Sequence, residues 1–255
     1  MIKAVLLDLS GVIYVGNRVL PGALEAVARL RDADLPIRFL TNTTRTAKQG
    51  ILEKLRGMGL EIADDELFTP AAAARDWLIR HKRAPHLLIH PDLAEDFQGL
   101  PDYAEKAVVI GDAGKSFTYD SLNAAFRAFD GAEFLALANN RTFKDQDGQL
   151  SLDAGPFVAA LEFATRRKAT VLGKPSPDFF GAALESMVCA VEDAVMVGDD
   201  AEMDVAGALA AGLGYGVLVR TGKYVEGVEV SVDPRPSAVV DDLTAAVRWI
   251  EDCRA

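Results

Sequence analysis

Cysteine is nearly absent: two residues in 255, Cys189 and Cys253. That excludes a disulfide framework or a cysteine-built metal cluster, and it makes a reducing cytoplasm the expected location. Histidine is nearly as sparse, and the three residues His81, His86 and His90 lack the arrangement of a metal set. Basic residues are outnumbered 27 to 38, for a net charge of −11. A nucleic-acid or anionic-membrane partner would need a basic face, so neither is expected. No apolar run approaches the roughly 18–20 residues of a membrane helix. Asp8 interrupts the short apolar run near the start, so no signal peptide is expected. No internal repeat or low-complexity stretch is visible. What remains is half hydrophobic and one quarter charged, the balance of a folded chain. The length suits one large domain or two moderate ones.

Apolar runs and helical periodicities alternate along the first 60 residues. Lys3–Asp8 and Pro36–Leu40 read as strands, and Pro21–Asp34 and Ala47–Met58 as helices. The last third repeats this logic. Pro177–Val188 and Glu202–Ala211 read as helices, Ala194–Val197 and Gly216–Val219 as strands, and Val239–Val240 and Leu243–Ile250 as a closing strand and helix. This order predicts an α/β fold with a parallel sheet. The middle carries strands of its own at His86–His90, Ala107–Ile110 and Phe134–Ala138, with helices near Ser121–Phe129 and Phe157–Arg167. The expected organisation is a core domain over 1–73 and 171–255, interrupted by an inserted α/β domain over 74–170; a single larger sheet is the alternative.

Reactive residues cluster just after strand-like runs. Asp8-Leu9-Ser10-Gly11 follows one, Thr41-Asn42-Thr43 a second, Gly173-Lys174-Pro175 follows Ala169–Leu172, and Gly198-Asp199-Asp200 follows Ala194–Val197. Ligands of open α/β sheets bind outside the carboxyl ends of the strands. If the four strands share one sheet, these groups converge on one crevice. Carboxylates, a hydroxyl, an amide and an ammonium suit Mg²⁺ and a phosphate. Two bare carboxylates at 4 Å would repel by about 4 kcal/mol at an effective dielectric of 20, a penalty that a cation removes. Each segment also has a plainer reading as a cap, turn or solvated loop; their joint placement argues against it.

The segments DLSGV at 8–12, TN at 41–42, GKPSPDFF at 173–180 and GDDAEMDV at 198–205 resemble, in this order, the haloacid dehalogenase superfamily of phosphotransferases. The resemblance spans nearly the whole chain. It implies a Rossmann-like parallel-sheet core with a C2-type cap as the insertion. GPFVAALEFAT at 155–165, SFTYDSLNAAF at 116–126 and RTGKY at 220–224 resemble one small group within that superfamily. The resemblance implies that Asp8 is a nucleophile forming an aspartyl-phosphate. Mg²⁺ would be held by a carboxylate oxygen of Asp8, the backbone carbonyl of Ser10, and Asp199. Asp204, assisted by Asp200, would orient the site. Thr41 and Asn42 would hold phosphate oxygens, with Ser10 in the same pocket, and Lys174 would neutralise charge on the nucleophile and the phosphoryl group. A small phosphorylated substrate is the expected partner, and pairing through the cap makes a homodimer an expectation.

Ser10 departs from the pattern. Most phosphatases of the superfamily read Asp-x-Asp, the second Asp serving as general acid and base. Serine does not supply a proton near neutral pH, and a poor leaving group needs one. The expected substrates therefore have good leaving groups: P–N bonds or pyrophosphate. The small group shares this serine. Two alternatives stay open, a phosphomonoesterase for sugar phosphates or nucleotides and a non-catalytic protein that binds a phosphorylated ligand.

Two other motifs do not carry function. Gly111–Ser116 resembles a P-loop, but Val109 stands where its first glycine is required. Asp145–Gly148 resembles a calcium loop, but Leu150 and Pro156 occupy its glycine and glutamate positions, so it reads as a turn. Arg141 is either a cap residue that contacts substrate or an exposed loop arginine.

Overall fold

The computed structural model describes residues 1–144 and 149–254, so the turn expected at 145–148 lies outside the described residues. In chain order the elements begin with β1 (Ala4–Asp8), β2 (Tyr14–Val15), β3 (Arg18–Val19), α1 (Ala23–Asp32), β4 (Ile37–Leu40) and α2 (Lys48–Gly57). Then come β5 (Leu67–Phe68), α3 (Pro70–Arg80), β6 (Arg83–Leu88), β7 (Glu105–Ile110), α4 (Tyr119–Arg127), β8 (Glu133–Ala136), β9 (Thr142–Lys144) and β10 (Leu150–Leu152). The chain closes with α5 (Ala154–Thr165), β11 (Thr170–Val171), α6 (Pro177–Glu185), β12 (Ala194–Gly198), α7 (Gly207–Ala210), β13 (Tyr215–Val219), β14 (Ala238–Val240) and α8 (Leu243–Asp252).

The chain divides into two compact units. One comprises Met1–Thr41, Leu52–Phe68 and Lys174–Ala255; the other comprises Asn42–Ile51 and Thr69–Gly173. Near the boundaries expected at 73/74 and 170/171, the Thr69 side chain caps α3 by accepting from the Ala72 amide, and β11 pairs with β8.

The first unit is built on a six-stranded sheet in the order β14-β13-β12-β1-β4-β5, parallel throughout. All five β1 residues are buried, as expected for a parallel strand covered on both faces. The chain moves outward from β1 to β4 and β5, then returns beside β1 as β12 and moves outward the other way. The switch point lies between β1 and β12, where open α/β sheets bind ligands. Helix α1 buries Ala23, Ala26, Val27 and Leu30 along one stripe, and α8 buries Leu243, Ala246, Val247 and Ile250. Each fully buried Val, Leu or Ile contributes about 1.5–3 kcal/mol.

The second unit has a four-stranded parallel sheet, β11-β8-β7-β6, and an antiparallel hairpin of β9 and β10. Strand β7 shows why it is two-faced. Ala107 and Val109 pack with Ala71, Ala74 and Leu78 of α3, while Val108 and Ile110 pack with Ala125 of α4 and Val158 and Leu161 of α5. Successive strand side chains point to opposite faces, so a continuous apolar run signals cover on both sides.

One expectation is corrected here. Ala169–Leu172 does not join the core sheet. Thr170 and Val171 pair with Leu135 and Ala136 of β8, and the Leu172 amide extends the ladder to the Ala136 carbonyl at 2.9 Å. An apolar run predicts a strand but not its partner. Three reactive segments follow strands of the core sheet, and Lys174 follows a strand of the other one.

Candidate active site

Asp8 is the last residue of β1, Thr41 directly follows β4 and Asp199 directly follows β12. These strands are neighbours, with Asp8 in register with Leu40 and Leu7 with Val197. Asp204 comes from the segment after β12. There the expected helix at Glu202–Ala211 opens as a π-helix over Ala201–Ala206 before continuing as α7. Such wide turns often occur at functional sites. Asp200 starts this turn: its Oδ1 accepts from the Glu202 amide at 3.2 Å and the Met203 amide at 3.0 Å.

Four buried charged residues converge. Lys174 Nζ donates to Asp8 Oδ1 at 2.5 Å and pairs with Asp204 Oδ1 at 2.7 Å. Asp8, Asp199 and Asp204 each present a carboxylate oxygen within 4.8 Å of the others. Lys174 is only 2% exposed, so solvent screens its charge from its partners far less than at the surface. Burial would lower its pKa, but the charges of Asp204 and Asp8 outweigh that and raise it, keeping it an ammonium. Burial raises Asp8 to about 6, with Lys174 opposing and Asp204 adding to the shift. Burial, then the charges of Asp8 and Asp204, raise Asp199 to about 8.

The oxygens divide the work. Both of Asp204 are engaged, one by Lys174 and the other by the Asp200 amide at 3.2 Å. Asp199 Oδ2 accepts from the Lys223 amide at 2.7 Å. Asp8 Oδ2 and Asp199 Oδ1 are not taken up by these bonds. Three carboxylates against one buried ammonium form an all-oxygen, electron-rich donor set. It fits a hard divalent cation such as Mg²⁺.

Other expected residues are placed as follows. Ser10 is exposed beside Asp8. Gly11 takes φ +94°, and a Cβ on it would collide with the Asp199 carboxylate, so only glycine permits this approach. Thr41 is buried, its amide donating to the Phe68 carbonyl at 3.2 Å. Asn42 is grouped with the second unit and is placed here only by following Thr41 in the chain. Asp200 builds its turn and pairs through Oδ2 with Lys223 Nζ at 3.2 Å. Burial would raise its pKa, but Lys223 and the Met203 amide hold it low. Arg141 is exposed. His81 is exposed and stacks on Trp77 at the end of α3.

Two groups near the site carried no sequence signal of their role. Tyr14 is buried, and its hydroxyl is pushed up to about 12 by burial and by the Asp8 charge. Lys54 Nζ lies 4.2 Å from its ring centroid. Lys223 is the other; its partners Asp199 and Asp200 are remote in sequence.

The chain matches known proteins over this architecture. Residues 5–114 match the model of the haloacid dehalogenase-like hydrolase family, and residues 171–246 match a HAD-hydrolase-like model. The chain is 46% identical to haloacid dehalogenase-like hydrolase domain-containing protein 2 of Homo sapiens, covering 98% of this chain and 96% of that protein. It is 43% identical to phospholysine phosphohistidine inorganic pyrophosphate phosphatase of Danio rerio, over 96% and 93% of the two chains. Among solved structures it is similar to a p-nitrophenyl phosphatase from Archaeoglobus fulgidus, with TM-score 0.88, 27% identity and 97% and 98% coverage. The chain is thus similar over nearly its whole length to haloacid dehalogenase-like and phosphatase-named relatives, and it belongs to the haloacid dehalogenase-like hydrolase family.

Proposed function

We propose that the chain is a Mg²⁺-dependent phosphohydrolase that works through an aspartyl-phosphate on Asp8, on small phosphorylated compounds with good leaving groups. The observation that carries this reading is the buried Lys174 ammonium, seated 2.5 Å from Asp8 and 2.7 Å from Asp204 at the end of β1. Lys174 keeps Asp8 ionised and fixed for attack. An oxygen of Asp8 attacks phosphorus, the P–N or P–O bond breaks, and the leaving group departs with the bonding electrons. Water then attacks the same phosphorus, releasing inorganic phosphate and restoring the Asp8 carboxylate. Thr41 and Asn42 hold phosphate oxygens, and Lys174 offsets their charge. Asp8, the Ser10 carbonyl and Asp199 hold Mg²⁺, while Asp204 orients Lys174. When bound, Mg²⁺ neutralises charge on the phosphoryl oxygens. Two free cysteines fit a reducing cytoplasm, and among the described residues no helix is long and apolar enough to cross a membrane.

Ser10 supports the choice of substrate. A protonated phosphoramidate nitrogen, or the phosphate leaving pyrophosphate, departs without help from a general acid. The Danio rerio relative bears phospholysine, phosphohistidine and pyrophosphate in its name. General acid catalysis contributes about 10²–10⁴-fold. With Mg²⁺, phosphate release from pyrophosphate, phosphohistidine and phospholysine is therefore expected to exceed that from alkyl phosphates by roughly 100-fold. Ser10→Asp is expected to narrow the gap. Equal or faster release from alkyl phosphates would reject the leaving-group argument and favour the phosphomonoesterase reading.

Metal binding also has a pH signature. Asp8 and Asp199 titrate at about 6 and about 8 in the folded chain against an ordinary 3.8. Folded protein thus holds more protons than unfolded protein between pH 4 and 8, and its stability without metal falls as pH rises through that window. A divalent cation takes the place of those protons. Thermal melting is expected to show a larger Mg²⁺-induced gain at pH 8 than at pH 5.5; a gain independent of pH would contradict the assignment.

A further inference from the structure

We propose that Thr221-Gly222-Lys223 is a positioning loop that aims Asp199 at the cation and fixes the turn behind Asp8. This rests on the metal-dependent reading above. The loop follows β13 by one residue, Arg220. The Thr221 hydroxyl donates to the Gly11 carbonyl, and so ties the loop to the turn that leaves Asp8. The Lys223 amide donates to Asp199 Oδ2 at 2.7 Å, and the Lys223 ammonium lies 3.2 Å from Asp200 Oδ2. Between these two anchors Gly222 takes φ +60°. A Cβ there would collide with Asp199 Oδ2 and stand 2.6 Å from Gly11 Cα.

One oxygen of Asp199 is therefore enclosed by two glycines and an amide. A carboxylate fixed at one oxygen cannot swing about its last torsion, so its other oxygen is presented in one direction. An N–H bond to a charged acceptor is among the stronger hydrogen bonds. Groups that orient a metal ligand typically change metal affinity or activity by 10–100-fold when removed. Thr221, Gly222 and Lys223 act through Asp199 and Gly11; none need touch substrate.

The test uses the full chain with Mn²⁺ alone as probe, its binding followed by electron paramagnetic resonance, beside thermal melting and turnover. Gly222→Ala is expected to raise the Kd for Mn²⁺ by roughly 10–100-fold. Thr221→Val is expected to lower kcat roughly tenfold with little change in KM, and Thr221→Ser to restore it. Gly227→Ala is the control, because Gly227 has a similar left-handed φ of +84° but nothing within 4 Å of an added Cβ. It should lose stability yet bind Mn²⁺ like the parent. Parental Mn²⁺ affinity in a folded Gly222→Ala, or an equal loss in Gly227→Ala, would overturn the proposal. If Gly222→Ala does not fold, parental kcat in Thr221→Val overturns it instead. A parent chain that binds no Mn²⁺ would overturn the metal reading, and this proposal with it.

Discussion

On the proposed mechanism, Asp8→Asn is expected to lower metal-dependent phosphate release by at least about 10⁴-fold, the effect of removing a covalent nucleophile. The fold is expected to survive the change. Asparagine matches aspartate in size, and Lys174 keeps its pair with Asp204 at 2.7 Å. Burial already pushes the Asp8 carboxyl up to about 6; a neutral amide carries no such penalty. Without metal at pH 8 the variant is therefore expected to melt at or above the parent's temperature. Loss of turnover together with retained or increased stability separates a chemical role from a structural one. An acid-quenched reaction with phosphorus-labelled substrate should leave base-labile label on the parent and none on Asp8→Asn. Turnover within tenfold of the parent would remove Asp8 from the mechanism.

Lys174→Met is expected to show a different profile, with losses in both stability and rate. The apolar chain fills the space but leaves Asp8 and Asp204 buried without their cation. Removing one partner of a buried ion pair costs about 3–5 kcal/mol. For a chain of this size that is a fall in Tm of roughly 10 °C. Turnover is expected to fall about 10²–10³-fold, the usual effect of removing one electrostatic contact to the transition state. Lowering the pH, which neutralises carboxylates, should recover part of the Tm. So should the double variant Asp8→Asn/Lys174→Met, since partners in contact are not additive. A Tm within 2 °C of the parent at pH 8, measured without metal, would show that the buried ammonium does not balance these carboxylates.

Much of this site is visible in the sequence for a simple reason. Asp8 and Asp199 each stand at the end of an apolar run buried on both faces, and Thr41 follows a mostly buried run that only Arg38 interrupts. A polar residue that breaks such a run must lie at a strand end, and parallel strands put those ends on one edge. The same rule failed for Lys174. The run before it is genuine strand, but only two residues of it pair, and with β8 in the other unit. Strand partnership is non-local and leaves no trace in composition. The two-residue strands β2, β3 and β5 are too short for any period to register. Helix α3 was missed because its first turn is Pro-Ala-Ala-Ala-Ala, with little amphipathic contrast. The π-helix carrying Asp204 was read as ordinary helix, since a one-residue change in hydrogen bonding leaves the apolar pattern nearly intact. Thr221 contacts Gly11 across 210 residues of sequence, a distance over which no local rule operates.

Strand β1 lies fourth among six, with a hydrogen-bonded neighbour on each side. Amides in such a central strand exchange with solvent only when the whole domain opens. Asp8, at the end of β1, therefore sits in the last part of this unit to unfold. Fraying of the edge strands β5 and β14 need not disturb it. Heat inactivation and global melting of this unit then become a single event, and the working temperature range of the catalyst is set by the cohesion of its sheet.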